Sequence, residues 1–187
     1  MGCRKQTIAP DAPPPSAEIL ALIAQFTAAH STSEWKRFEH LRQAAMYAAD
    51  RLEKCSHYYE CSGYIVLDPS KKFVVSPVRT DYNSDSVRVD DEDAPSDWKV
   101  VADFHSHPCV PHHYTELFSG EDMMGAILGR KIAYMVDLCS GNVHEFLPGI
   151  DKPDMVPVHD GTEWLSAGTI IGHVAAFKDD ATANEGL

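Results

Sequence analysis

The sequence predicts an α+β domain, an α/β sandwich in which helices flank a mixed β-sheet, and three patterns carry this prediction. Apolar residues at helical spacing in residues 18–30 and 33–52 predict two helices. Strand-like runs at residues 58–67 and 73–77 predict one hairpin, and runs at residues 131–137 and 142–147 predict another. Between the hairpins, an apolar strand is followed by a loop and then by a helix start.

The ends of the chain differ in composition from its middle. Residues 1–17 are rich in proline and alanine, which predicts a flexible leader, and residues 179–187 form an acidic tail. We therefore expect one domain over residues 18–178, and 187 residues suffice for a sizeable core. Residues 81–97 are strongly acidic and predict a solvated loop, with a surface for a basic tail as the alternative. Residues 162–173 predict an edge strand or a short helix that closes the sheet.

A strand that ends in two histidines is the most informative segment. Residues 100–108 read Val-Val-Ala-Asp-Phe-His-Ser-His-Pro, and the run stops at a proline, which lacks the N–H that a sheet ladder needs. Side chains two apart on a strand share a face, so His105 and His107 can reach one metal ion. The plainer interpretation is that both histidines only line a cleft.

A helix start downstream offers a third ligand. Ser119-Gly-Glu-Asp122 precedes an apolar-periodic stretch over residues 123–128, and the first turn of that helix can direct the Asp122 carboxylate outward. A capping box alone would also explain Ser119 and Asp122. The combined order of strand, paired histidines, loop, Ser-x-x-Asp and helix favours a metal site, since a helix cap needs no histidines upstream.

This order resembles the JAB/MPN metalloproteases, whose JAMM motif is a glutamate, then His-Ser/Thr-His-Pro, then Ser-x-x-Asp. His105-Ser-His-Pro and Ser119-x-x-Asp122 match the last two parts, and Glu60-Cys-Ser-Gly63 resembles the first. The resemblance covers residues 40–150 and is greater to divergent bacterial branches than to the eukaryotic proteasome-lid members. The loop over residues 108–118 is longer than is usual in the family.

The resemblance implies a fold and a cofactor. The implied fold is the cytidine-deaminase-like, MPN-type mixed sheet flanked by helices. The implied cofactor is a zinc ion held by His105, His107 and Asp122, with a fourth position open for water, as is typical of catalytic rather than structural zinc sites.

The resemblance also implies an activity, that of a zinc-dependent peptidase or isopeptidase acting at the C-terminal tail of a ubiquitin-like protein. Glu60 would be the general acid–base, with Glu53 as the next candidate, and Ser119 would either donate a hydrogen bond to the oxyanion or only cap the helix. Two other classes stay open: a non-catalytic JAB-like binding scaffold and a zinc amidohydrolase toxin domain.

The cysteines bear on the compartment and on the metal. Five cysteines at irregular spacing predict no disulfide framework, and we expect Cys61 and Cys139 to be small core residues, which favours a reducing compartment. Cys109, His112 and His113 follow the histidine pair. Any of the three could be a fourth metal ligand, although a solvated loop is the simpler interpretation.

The charge and hydropathy of the chain limit its partners. A formal net charge of −12 disfavours nucleic acid, since phosphate binding needs clustered lysine and arginine. No apolar run approaches the ~20 residues of a membrane helix, and the first residues lack the apolar core of a signal peptide. We therefore expect a cytoplasmic protein with a protein substrate, and a secreted effector or toxin is the alternative.

Overall fold

The computed structural model describes residues 35–56, 58–82, 94–109, 116–158 and 161–176, with only the backbone for 156–158, 161 and 162. These residues form nine strands and two helices. In chain order they are β1 Arg37–Phe38, α1 Leu41–Glu53, β2 Ser62–Leu67, β3 Phe73–Val75, β4 Lys99–His107, α2 Gly120–Gly129, β5 Ile132–Asp137, β6 Asn142–Phe146, β7 Asp154–Val158, β8 Gly161–Leu165 and β9 Thr169–His173.

Seven of these strands form one mixed sheet in the order β1-β3-β2-β4-β5-β6-β9. Its neighbours are antiparallel except for β4 and β5, which are parallel and are joined through α2. Strands β7 and β8 pair separately as a hairpin. The histidine strand β4 therefore lies in the middle of the sheet.

The two helices cover opposite faces of this sheet. Phe104 and Tyr134 are paired across β4 and β5 and are buried in one cluster with α1, which contributes mainly alanines that allow close approach. The next pair along the same strands, His105 and Met135, points the other way. Met135 is buried with Met123 of α2 in a second cluster. This arrangement confirms the predicted α+β sandwich.

Both predicted hairpins are present. Strands β2 and β3 pair around Asp68, which ends the turn by accepting a hydrogen bond from the Lys72 N–H at 2.9 Å. Strands β5 and β6 pair around Gly141, whose φ is +75°. A Cβ at Gly141 would lie 2.4 Å from the carbonyl oxygen of Val174, so this turn requires glycine for space as well as for backbone conformation.

The predicted start of the second helix is wrong. The helix predicted over residues 33–52 begins only at Leu41, because Arg37 and Phe38 pair with β3 as a short edge strand. Trp35, which fits the helical spacing, instead packs edge-on against Tyr64 at 6.0 Å between ring centroids. Tertiary packing of aromatic residues against the outer sheet thus overrides the helical pattern. Residues 162–173 contain most of β8 and all of β9. The edge-strand interpretation of this segment is correct for β9, which lies at one edge of the seven-stranded sheet.

Several predictions fall outside the described residues. These are the leader over residues 1–17, the helix over residues 18–30, most of the acidic loop and the tail over residues 179–187. The domain boundaries thus remain a prediction. Neither described helix is both long and apolar enough to cross a membrane.

Four cysteines form two disulfides, which contradicts the prediction that Cys61 and Cys139 are unpaired core thiols. Cys55 is bonded to Cys61, with 6.5 Å between their Cα atoms, and Cys109 is bonded to Cys139, with 4.7 Å between theirs. The first pair meets where the chain passes from α1 to β2, and the second where the parallel strands β4 and β5 end. Irregular spacing in sequence could not reveal either meeting point.

Candidate metal centre

His105 and His107 lie at the end of β4, on the face of the sheet that α2 covers. Their Nε2 atoms are 3.1 Å apart, and the His105 ring is almost fully buried. Phe118, which is fully buried, contacts the His105 ring edge-on at 6.2 Å between centroids. The two imidazoles therefore direct ring nitrogens at one point beside the sheet.

Asp122 reaches the same point from the first turn of α2. Ser119 is the N-cap of this helix, and its Oγ accepts a hydrogen bond from the Asp122 N–H at 3.2 Å. In return the Ser119 N–H and hydroxyl donate to Oδ2 of Asp122 at 2.8 and 2.7 Å. The capping box thus orients the carboxylate, and Oδ1 of Asp122 lies 3.5 Å from Nε2 of His105.

These three side chains form a candidate metal site. Nε2 of His107 lies 3.6 Å from the other oxygen, Oδ2, so each imidazole faces one oxygen of the Asp122 carboxylate. Among the described residues, His105, His107 and Asp122 are the group whose donors converge closely enough to hold one ion. The sequence predicted this group of three residues.

The electrostatics of the site favour an ionised carboxylate. Burial raises the pKa of Asp122, but the attraction and hydrogen bonding of His105 and His107 outweigh it and hold that pKa well below its usual value. Burial lowers the pKa of His105, and the charge of Asp122 and then of Asp103 raises it above its ordinary value. Asp122 is therefore a charged ligand at neutral pH, which is the form that binds a cation.

The register of β2 brings Glu60 towards this site. Ser62 is paired with His105, and Cys61 lies beside Ser106, whose N–H donates to the Cys61 carbonyl at 2.9 Å. Glu60 lies before the first residue of β2, and the same antiparallel register, continued past Cys61, predicts that it comes opposite His107. Because directly opposed residues share a face of the sheet, this register predicts Glu60 on the face of the two histidines.

The position of Gly63 in this part of the motif has no room for a side chain. It is paired with Phe104, and a Cβ at Gly63 would lie 2.4 Å from Cζ of that ring. Only glycine leaves room for the Phe104 ring to pack over β2, on the face of the sheet that α1 covers. The glycine therefore preserves the pairing that sets the register of Glu60.

Ser119 is engaged in capping the helix. Its hydroxyl proton is donated to Oδ2 of Asp122, so the predicted oxyanion role requires that hydroxyl to rotate. Of the predicted alternative ligands, Cys109 has its sulfur bonded to Cys139, which contradicts a thiolate role in this oxidised form. His112 and His113 lie outside the described residues.

The sequence interpretation missed one charged pair beside the site. Asp103 precedes His105 by two residues and shares its face, and its carboxylate lies 3.0 Å from Nζ of Lys131. Both side chains are only 15% exposed. The alternation Asp103-x-His105-x-His107 was visible in the sequence and could have identified it.

With this geometry established, comparison with known proteins places the chain in a family. The model of the prokaryotic homologues of the JAB domain matches residues 40–146, which is more than half of the chain. The chain belongs to this JAB family. No curated protein and no solved structure gives a significant match. The matched range of the JAB domain runs from just before α1 to the end of β6 and includes all five predicted site residues: Glu60, His105, His107, Ser119 and Asp122.

Proposed function

We propose that this JAB domain is a zinc-dependent peptidase or isopeptidase of the JAMM type. The convergence of two imidazoles and the Asp122 carboxylate carries the proposal. Two imidazole nitrogens and a carboxylate oxygen that share a tetrahedral zinc lie about 3.3–3.5 Å from one another, given metal–ligand distances of about 2.0–2.2 Å. The two Nε2 atoms lie 3.1 Å apart, and each lies 3.5 or 3.6 Å from its nearer Asp122 oxygen, which is close to that spacing.

Among the described residues, the set of three donors also suits zinc in a catalytic rather than a structural role. Structural zinc sites have four protein ligands, whereas catalytic sites have three. When bound, the ion supplies a water whose pKa is lowered to about 7 and polarises the substrate carbonyl. Every other requirement of the reaction falls to side chains of this chain.

Glu60 is the proposed general acid–base. Its carboxylate would take the proton of the attacking water and then deliver it to the leaving amine, which requires it to lie within hydrogen-bond reach of both. The register of β2 supports this role, because its continuation past Ser62 predicts Glu60 opposite His107. A glutamate on the opposite face of the sheet could not serve, and α1, which carries Glu53, packs on that opposite face.

Ser119 is the proposed donor to the oxyanion. Its hydroxyl would turn from Oδ2 of Asp122 towards the developing negative charge. Asp122 would keep its orientation during that turn, because the Ser119 N–H also donates to Oδ2, at 2.8 Å. The hydrogen bond from the Ser119 N–H would thus hold Asp122 in place while the Ser119 hydroxyl acts in catalysis.

The proposed substrate is the C-terminal tail of a ubiquitin-like protein. Membership of the JAB family supports this substrate class, and the formal net charge of −12 suits a basic tail.

The two disulfides favour a protein that acts outside the cytosol, as a secreted effector, because disulfides persist in oxidising compartments and are rare in the cytosol.

Cleavage of a ubiquitin-like protein fused through its C-terminus to an amine reporter tests this proposal. We expect release of the reporter, loss of release after a zinc chelator, and recovery when zinc is returned. A zinc-loaded protein that binds the reporter without cleaving it would instead be a scaffold. Cleavage that is insensitive to the chelator would overturn the metalloprotease proposal, and cleavage of only non-protein amides would move the protein to the amidohydrolase class.

A further inference from the structure

Each of the two disulfides lies next to a different part of the candidate site. Cys55–Cys61 ends one residue after Glu60, and Cys109–Cys139 begins two residues after His107. Cys55 is 3% exposed and Cys61 is fully buried, so the first bond belongs to the core. The two bonds therefore restrain different segments of the backbone around the site.

The Cys55–Cys61 bond fixes the backbone beside Glu60. Cys55 follows the end of α1, whose inner face is buried against the sheet, so the bond anchors Cys61 to a rigid helix end. Cys61 is also joined to Ser106, the residue between the two histidines. The Cys61 N–H donates to Ser106 Oγ at 3.1 Å, and the Ser106 N–H donates to the Cys61 carbonyl at 2.9 Å.

The Cys109–Cys139 bond fixes the ends of the parallel strands. His107 is paired with Asp137, the last residue of β5, and the Leu138 N–H donates to the His107 carbonyl at 3.1 Å. Two residues further along, the disulfide joins Cys109 to Cys139, whose Cα atoms are 4.7 Å apart. The Cys139 N–H also donates to Oδ1 of Asp137 at 3.0 Å, which fixes the turn on the β5 side.

We propose that the two disulfides are positioning elements of the metal site, so that the protein is fully active only when oxidised. Cys55–Cys61 positions Glu60 for proton transfer, and this part rests on the proposed function. Cys109–Cys139 positions His107 for metal binding, and this part does not depend on any activity.

Reduction removes both restraints by a balanced reaction. With a phosphine, each S–S bond breaks and gives two thiols, phosphorus is oxidised to the phosphine oxide, and water supplies the oxygen and the two protons. With a cellular dithiol, two protein thiols form as the reductant becomes a disulfide. A phosphine is the better reagent, because thiol reductants also bind zinc.

The experiment compares two paired variants, Cys55→Ser with Cys61→Ser and Cys109→Ser with Cys139→Ser, in the full chain. The control is Cys3→Ser, which removes the fifth cysteine and leaves both bonds intact. Activity, zinc content and amide exchange are measured below the unfolding temperature of each variant. If a variant does not fold, wild-type protein reduced by the phosphine, which loses both bonds together, is measured in its place for activity, zinc affinity and amide exchange.

For the first pair we expect kcat to fall at least 10-fold, with KM and zinc content unchanged, and the backbone amide at position 61 to lose exchange protection. The same pair in a Glu60→Gln background should lower kcat little further, because it acts through a group already removed. The role of Cys55–Cys61 would be overturned if kcat fell by the same factor in the wild-type and Glu60→Gln backgrounds. It would also be overturned if both kcat and the exchange protection of the amide at position 61 stayed unchanged.

For the second pair we expect zinc affinity, measured by competition with a chromogenic chelator, to fall at least 10-fold. An affinity equal to that of the Cys3→Ser control would overturn the role of Cys109–Cys139. These readouts separate the two proposals. If the wild type cleaves nothing, the proposed function fails, while zinc affinity and amide exchange still decide whether the disulfides position the site.

Discussion

Cys61 and Ser106 hold each other through two hydrogen bonds, one from each backbone N–H. Both residues are fully buried. Each is the neighbour of a predicted site residue, since Cys61 follows Glu60 and Ser106 lies between His105 and His107. The backbone next to the proposed base is therefore joined directly to the segment between the two histidines, by one backbone hydrogen bond and one to the Ser106 hydroxyl.

Ser106→Ala should weaken this link. The buried Cys61 N–H would lose its acceptor, which costs about 1–3 kcal/mol of the free energy of unfolding. We expect zinc content to be kept and kcat to fall, as measured by elemental analysis and reporter cleavage, and urea unfolding should give the loss of stability. Ser106→Thr retains the hydroxyl and should restore kcat. Equal kcat for the alanine variant and the wild type would contradict the positioning role of Ser106.

Glu60→Gln should abolish proton transfer while keeping shape. Cleavage should fall by about 10²–10⁴-fold, the usual scale for loss of a general acid–base. Zinc content and the unfolding temperature should stay close to those of the wild type. Glu53→Gln is the matched control, because it makes the same change on α1, which packs on the other face of the sheet. Should the two variants show the opposite pattern, Glu53 would be the base.

Gly63→Ala should destabilise the protein, since the new methyl group would lie 2.4 Å from Cζ of Phe104. Overpacking of this kind costs about 1–3 kcal/mol or more. The control is Gly125→Ala on α2, where no atom lies within 4 Å of the new Cβ. Because alanine is a better helix former, this control should stabilise the protein by up to about 1 kcal/mol. Denaturant unfolding of both variants measures the two opposite shifts.

Asp68→Asn should reduce stability and alter its pH dependence. Burial acts to raise the pKa of Asp68, but hydrogen bonds from Ser70, Lys72 and Arg37 outweigh it and hold that pKa below its ordinary value. The stabilisation is therefore fully present above the unfolded pKa of about 3.9 and is lost as the pH falls through the lower folded value. We expect the wild type to lose more stability than the variant as the pH falls below about 4, measured by urea unfolding.

The matched control for this acid dependence is Asp50→Asn. The Asp50 carboxylate is half exposed and pairs with Lys54 at 2.7 Å within one helix face. Exposed pairs of this type contribute little to stability. A control that changed the acid dependence as much as Asp68→Asn would show that general charge, rather than the turn at Asp68, sets the response.

Local patterns were enough to predict which three side chains converge as a candidate metal site, but not the disulfides near them. His105, His107 and Asp122 follow from strand alternation and from a capping sequence, both of which act over a few residues. The start of α1 was misplaced because Trp35 packs on distant aromatic residues, and no local pattern records that contact. The Cys109–Cys139 disulfide was missed for the same reason. Cys109 and Cys139 are 30 residues apart in sequence and meet only because β4 and β5 are parallel.

Elemental analysis of the purified protein tests the central claim most directly. We predict one zinc per chain in the wild type, and its loss in each of the single variants His105→Ala, His107→Ala and Asp122→Ala, because each removes one of the three candidate ligands. A wild-type protein that is folded, free of metal and still able to cleave the reporter would contradict the account.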